Sequence, residues 1–215
     1  MNRKIRVLLV DDHSVVRAGY RLLLSASAAI GEILEAEGGE RACRIYAETR
    51  PDVVVMDISM PGIGGLDAIR RIVARDSEAR ILVFSIHAES IYLAKALEAG
   101  AQGYITKRSA PDILVEAVIR LAAGESYIEA ALDEAGRFLE RPLQPFSLRV
   151  ENLSAREFDV FLGLAQGLTT RELAGQLCLS YKTVANYSTA VRGKLDVNTN
   201  AEIAKIASEL GLLPR

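Results

Sequence analysis

Cysteine is scarce. Only Cys43 and Cys178 occur, far apart and each inside a helix-like pattern, so neither a disulfide framework nor a zinc-ligand spacing is present and a reducing compartment is expected. No apolar run approaches the ~18 residues that a membrane-spanning helix needs. The amino terminus, MNRKIRVLLVDD, stops its short apolar run at two aspartates and lacks the h-region and cleavage site of a signal peptide. Net charge is missing too: 26 Lys and Arg against 28 Asp and Glu leave −2, so an anionic partner has to be met by a local patch. There is no internal repeat and no low-complexity tract. These absences predict a cytoplasmic protein with no membrane partner.

What is present is a chain of 215 residues that is 50% hydrophobic, more comfortable as two small cores than as one. The first half alternates short β-branched runs with helix-period segments. Ile5 to Val10, Glu32 to Ala36, Val53 to Met56, Ile81 to Ser85 and Gly103 to Thr106 read as strands. Helices are expected near Val15 to Leu24, Glu40 to Thr49, Leu66 to Arg75, Ile91 to Ala99 and Pro111 to Ala123, the last capped by Ser109 and ended by Gly124. Strict alternation predicts an α/β doubly wound five-stranded parallel sheet with helices on both faces, and runs apolar at every position, such as VVVM, suit that burial.

From Glu125 to about Glu151 the chain mixes a short helical pattern with prolines and no sustained period, which reads as a linker with some helix at its start. Beyond it, Ser154-Ala-Arg-Glu157 and Thr169-Thr-Arg-Glu172 both match the capping box, and Ser180 suits a third helix start. Helices near Ala155 to Gln166, Thr170 to Leu177, Tyr181 to Leu195 and Ala201 to Leu210 make a compact all-α four-helix domain.

In an open parallel sheet, ligands gather at the carboxyl ends of the strands. Asp11, Asp12, Asp57, Ser85 and Lys107 are the polar residues at those ends. Three gathered carboxylates repel one another, a cost that a divalent cation offsets, and an oxygen-only set suits Mg²⁺. A carboxylate beside Mg²⁺, with a hydroxyl and an ammonium nearby, is equipped for phosphoryl transfer. Asp57 is then the nucleophile, Asp11 and Asp12 hold the metal, Lys107 pairs with the phosphoryl group and Ser85 donates a hydrogen bond to it. Singly, each of these residues is more often a turn, a cap or a solvated side chain; it is their shared place at the strand ends that points to a site.

The blocks VLLVDDHSVVRAG, DVVVMDISMPGIGG, ILVFS and AGAQGYITK, in that order, resemble the receiver domain of bacterial two-component response regulators. The resemblance implies phosphorylation of Asp57 by a sensor histidine kinase and a backbone-carbonyl metal ligand at Ser59. It also implies a switch in which Ser85 moves toward the phosphoryl group and Tyr104 follows it inward. Ser85 stands where relatives often have Thr, which keeps the hydroxyl; Ser59 and His87 stand where relatives tune phosphate lifetime.

Leu168 to Lys194 has two capped helices joined by the turn CLS, a helix-turn-helix pattern. In the second helix Val184, Tyr187 or Ser188, Val191 and Leu195 recur at the inward spacing, leaving Lys182, Thr183, Asn186, Thr189, Arg192 and Lys194 on the other faces with no acid among them. Lys and Arg neutralise phosphates, and Asn186 suits an adenine edge. LSARE, LAQGLTTRELAGQLCLSYKTVANY and KLDVNTNAEIAKIASELGLL resemble the LuxR-type output domain, so the whole chain is similar to NarL/LuxR-type response regulators. That implies a receiver at 1–124, a linker at 125–150 and a DNA-binding domain at 151–215, acting as a homodimer on double-stranded DNA. Lysines that relatives often carry in the reading helix are replaced here by Ala185 and Thr189.

Two other readings compete. Hydrolases with an aspartyl-phosphate intermediate usually have a second Asp two residues after the first, where this chain has Ser59, and such an enzyme has no use for a DNA-reading domain. A receiver that serves only as an interaction module does not need the complete acidic set. The expectation is therefore a regulator and not an enzyme.

Overall fold

Val53, Val54, Val55 and Met56 are all fully shielded from solvent, because the strand they form lies mid-sheet and is covered on both faces. The computed structural model of the chain describes residues 3–130, 132, 149–150 and 152–213, and the chain divides into two units, Met1–Glu134 and Ala135–Arg215. In the first, the elements run β1 (Ile5–Val10), α1 (Ser14–Ser25), β2 (Ile30–Ala36), α2 (Gly39–Thr49), β3 (Val53–Met56), α3 (Gly64–Val73), β4 (Ile81–Ser85), α4 (Ser90–Ala99), β5 (Gly103–Thr106), α5 (Ala110–Ala122) and β6 (Tyr127–Ile128).

All neighbouring strands are parallel, in the order β2-β1-β3-β4-β5-β6. Val7, Leu9, Val53, Val55, Leu82 and Phe84 pack on one side with Leu24 of α1 and Leu114, Val118 and Leu121 of α5. The strand alternation turns Leu8, Val10, Val54 and Met56 to the other side, where α2, α3 and α4 pack in sequence. The five expected strands are present.

The sixth strand corrects the expectation of five strands, and the helix expected near the start of the linker follows it, residues 130 and 132 being helical. Tyr127 and Ile128 pair with Gly103 and Tyr104, and the Glu129 amide donates to the Tyr104 carbonyl at 3.0 Å. Two residues are too few to display a period of two, so only the open edge of β5 selects a strand here. The sheet thus runs past residue 124, while positions 133–148 of the expected linker lie outside the described residues. Ser109 is a second correction: its hydroxyl does not cap α5 but donates to Glu129 Oε1 at 2.5 Å, and the Glu129 Oε2 atom accepts the Thr106 amide.

The break after β3 is set by glycine. Gly62 sits at φ +82°, a left-handed conformation that suits residues without a Cβ. At Gly65, a Cβ would come within 2.1 Å of the Asp57 carbonyl oxygen. The start of α3 therefore lies directly against the backbone of Asp57 and helps to fix it.

The second unit contains, among the described residues, α6 (Ala155–Ala165), α7 (Thr170–Gln176), α8 (Tyr181–Leu195) and α9 (Asn200–Glu209). Ser154 with Glu157 and Thr169 with Glu172 form the expected capping boxes, and Ser180 accepts the Thr183 amide at 3.1 Å. Thr199 with Glu202 forms a third box, written in the same T-x-x-E pattern. Val184, Ser188, Val191 and Leu195 of α8 turn inward toward a core holding Phe158, Phe161, Leu164 and Ile203, which assigns the ambiguous inward place to Ser188.

Candidate functional site

β1 and β3 are neighbours although β2 intervenes in the chain, so the sheet switches direction between them. That is where crevices form at the carboxyl ends of parallel strands. Asp11 and Asp12 follow β1 immediately, Asp57 follows β3, Ser85 ends β4 and Lys107 follows β5. The strand order β1-β3-β4-β5 sets them side by side.

The structure brings Asp11, Asp57 and Lys107 into direct contact. The Lys107 Nζ donates to Asp11 Oδ2 and to Asp57 Oδ2, each at 2.6 Å. The second oxygens are held by the backbone: Asp11 Oδ1 accepts the His13 amide at 2.8 Å and Asp57 Oδ1 accepts the Ser59 amide at 3.0 Å. Lys107 is fixed in turn, since its carbonyl accepts the Tyr20 hydroxyl at 3.2 Å and its ammonium lies 5.3 Å from the centre of the Phe84 ring. Tyr20 escaped the sequence reading because its helical spacing marks it only as an inward aromatic.

One ammonium does not satisfy two carboxylates. Burial pushes the Asp57 carboxyl above the ordinary 3.8, outweighing the Lys107 bond and the Ser59 amide that pull it down. Burial pulls Lys107 down, but the bonds to Asp11 and Asp57 overcome it and leave the amine above 10.5. Asp12 adds a third carboxylate whose Oδ1 atom is buried without a hydrogen-bond partner. His13 Nδ1 comes within 3.0 Å of that oxygen, an ion pair when the ring is protonated, but makes no hydrogen bond to it.

This donor set fits a divalent cation. Side-chain ligand atoms of Asp11, Asp12 and His13 lie within 4.8 Å of one another. Three carboxylates against one ammonium leave an excess of negative charge, and one buried oxygen of Asp12 has no hydrogen-bond partner. His13 is an addition to the acidic set read from the sequence.

Ser85 and Tyr104 meet at a different point, the backbone of His87. The fully buried Ser85 accepts the His87 amide at 3.1 Å, and the Tyr104 hydroxyl donates to the His87 carbonyl at 2.9 Å. Tyr104 is itself fully buried, which holds its hydroxyl well above the ordinary phenol range. The ring is therefore already inward, where an inward movement was expected on phosphorylation. The His87 ring stacks on Tyr92 with centroids 3.9 Å apart and reaches the Ser59 hydroxyl at 3.1 Å.

In the second unit, the residues expected to face DNA separate into two groups. Lys182, Asn186 and Thr189 stand exposed on α8, and Thr183 beside them hydrogen-bonds the capping Ser180 at 2.7 Å. Tyr181, 62% exposed at the first turn, belongs to the same surface and was not singled out in the sequence. Arg192 and Lys194 make contacts within the unit, although Lys194 stays exposed. Arg192 donates to Asn200 Oδ1 at 2.8 Å, and Lys194 donates to Glu157 Oε2 at 2.6 Å and to the Asn152 carbonyl at 3.2 Å. Arg149 donates to the Leu195 carbonyl at 2.9 Å, so the end of α8 is tied both to the start of α6 and to the segment before it.

Glu157 is the centre of this tie. Burial raises its carboxyl, but the Lys194 bond and the Ser154 amide outweigh that and hold it below the ordinary 4.5. A folded-state value below the unfolded one means stability present above pH 4.5 and lost as pH falls through the lower value. Glu157→Gln is expected to destabilise the second unit by about 1 to 2 kcal/mol at neutral pH. Hydrogen exchange of the α8 amides measures this, and the difference from wild type should shrink as the pH drops below 4.5.

Both units match known families. Residues 7–119 match the response regulator receiver domain family, and residues 151–207 match the luxR family of bacterial regulatory proteins. The chain is 42% identical to the transcriptional activator protein ExaE of Pseudomonas putida, over 96% of this chain and 97% of that protein. It is 38% identical to the response regulator UvrY of Escherichia coli, over 97% and 95% respectively. Among solved structures, RcsB from Salmonella enterica serovar Typhimurium, bound to the promoter P1flhDC in the presence of the phosphomimetic BeF3-, shares the fold with a TM-score of 0.70, at 23% identity over 96% of this chain and 100% of that one. With a receiver followed by a LuxR-type helix-turn-helix, the chain belongs to the LuxR-family response regulators and is a transcriptional regulator of a two-component system, not an enzyme.

Proposed function

We propose that phosphorylation of Asp57 by a sensor histidine kinase switches this regulator to a form that binds double-stranded DNA as a homodimer, in the cytoplasm. Residues 1–124 would take up the phosphoryl group, 125–150 connect, and 151–215 read DNA, with the sheet of the first unit extended by Tyr127 and Ile128. The observation that carries this reading is the placement of Asp57, half neutralised by Lys107, beside two further carboxylates.

In the transfer, a carboxylate oxygen of Asp57 attacks phosphorus as the bond to the donor breaks, and the donor leaves with the electron pair. Lys107 moves from the carboxylates to the incoming phosphoryl oxygens, and Ser85 donates its hydroxyl hydrogen to another. Asp11, Asp12, Asp57 and the Ser59 carbonyl are the residues that would hold Mg²⁺, which supplies positive charge at the phosphoryl oxygens. Turning the Ser85 hydroxyl toward Asp57 withdraws it from the His87 amide, and the Tyr104 bond to the same residue carries that change to the segment before α4.

Intact mass after incubation with a small phosphodonor tests the chemistry. One phosphoryl group is expected with Mg²⁺ and none with a chelator; an unchanged mass beside a control receiver that is modified would overturn the reading.

For DNA binding, the exposed surface Tyr181, Lys182, Asn186 and Thr189 is the reading face. With Lys182 the one cation of that face that is unpaired among the described residues, a single copy binds weakly, and pairing two copies on adjacent half-sites raises the effective affinity. Asn186→Ala should lose about 1 to 3 kcal/mol of discrimination between specific and random DNA, while Lys182→Ala weakens binding to both alike. Titrations at matched salt check the pair, and equal behaviour of the two variants would contradict the assignment.

A further inference from the structure

The face formed by α2 and α3 takes no part in the site above. A groove of about 340 Å³ runs along it, rimmed by Arg44 from α2 and by Arg71 and Arg75 from α3 and its end, with Cys43 and Ala47 along its floor. It continues into a notch of about 30 Å³ beside Tyr46, Arg50 and Ile72.

The charges there are unevenly spent. Arg50 pairs with Asp76, which also accepts the Tyr46 hydroxyl at 2.8 Å, and its guanidinium lies 5.6 Å from the centre of the Tyr46 ring. Glu40, on the rim, turns one oxygen to the Ile63 amide at 3.1 Å, and Glu48 is the other acid there. Among the described residues, Arg44, Arg71 and Arg75 form no ion pair and no hydrogen bond. Arg71 and Arg75 are four positions apart, so two like charges face the same concavity.

Cations held close without partners focus anions toward a groove. Guanidinium forks match phosphate oxygens in pairs of hydrogen bonds. Two cations side by side on one wall, with a third opposite, suit two linked phosphates, and Cys43 and Ala47, which also line the groove, suit an uncharged remainder. The volume falls in the small-molecule range of roughly 300 to 1,000 Å³. We propose that the α2–α3 groove binds a nucleoside diphosphate.

The test uses the full chain in a chelator, so that no metal–nucleotide complex can form at the acidic site. ADP is titrated by calorimetry, with inorganic phosphate and a glutamate-rich peptide as comparisons. Saturable ADP binding is expected, about tenfold or more tighter than phosphate, and Arg71→Ala/Arg75→Ala should weaken it by about tenfold or more. Both arginines are exposed, so the thermal midpoint of the variant should match wild type. The two cysteines give a second readout: ADP should slow alkylation of Cys43, which lines the groove, and leave that of the exposed Cys178 unchanged. No saturable ADP binding, equal affinity in the double variant, or binding of the peptide in place of ADP would overturn the proposal.

Discussion

Asp57→Asn is expected to abolish phosphoryl incorporation and the DNA-binding response together, while leaving the protein at least as stable as wild type. The side chains have nearly the same shape, so the hydrogen bond to the Ser59 amide survives on the amide oxygen. Lys107 keeps its bond to Asp11. The ionisation of Asp57 costs stability, because its folded-state value lies above the ordinary 3.8. Stability is complete below that value and is lost as pH rises through the raised one, so a neutral Asn removes the loss. Thermal midpoints in metal-free neutral buffer and intact mass with phosphodonor and Mg²⁺ are the paired measurements. A variant that accepted a phosphoryl group, or that was destabilised by several kcal/mol, would contradict the assignment.

Lys107→Ala should have the largest effect on stability in the first unit. It leaves the buried carboxylates of Asp11 and Asp57 facing each other without a counter-charge. Breaking a buried ion pair from one side costs about 3 to 5 kcal/mol. Asp57→Asn in the same chain removes one of the two stranded charges, so the double variant should be more stable than Lys107→Ala alone. Saturating Mg²⁺ should also recover part of the loss, since the cation binds the folded state. The pH dependence has the same sign as that of Asp57 but lies far higher on the scale: the Lys107 contribution is complete below 10.5 and is lost as pH rises through the raised folded-state value. Hydrogen exchange of the β1 and β3 amides isolates this unit from the second. A loss of under about 1 kcal/mol would mean that Lys107 is ordinary solvated surface.

The two effects arise from features that were legible in the sequence to different degrees. The apolar strands were legible because burial on both faces demands unbroken runs such as VVVM, and the capping boxes because their residues are local. Given parallel order, the alignment of Asp11, Asp57 and Lys107 follows from their places at strand ends. The sharing of one ammonium between two acids does not, because it depends on side-chain reach across 96 and 50 residues. Tyr127 and Ile128 were not legible as a strand, being recruited by a neighbouring edge and not by their own pattern. The partner of Lys194 was hidden for a related reason: Glu157 lies 37 residues earlier, so in sequence Lys194 is one more cation on a basic helix. Tyr181, Lys182 and Asn186 are exposed near the start of α8 with no such tie among the described residues.

The central claim is that the state of Asp57 controls the reading face of α8. DNA fragments selected by the phosphorylated protein, titrated by fluorescence anisotropy at fixed salt with the full chain before and after treatment with phosphodonor and Mg²⁺, test it directly. The account predicts tighter binding after treatment in wild type and no change in Asp57→Asn; equal affinity of the treated and untreated wild type, with phosphorylation verified by mass, would contradict it.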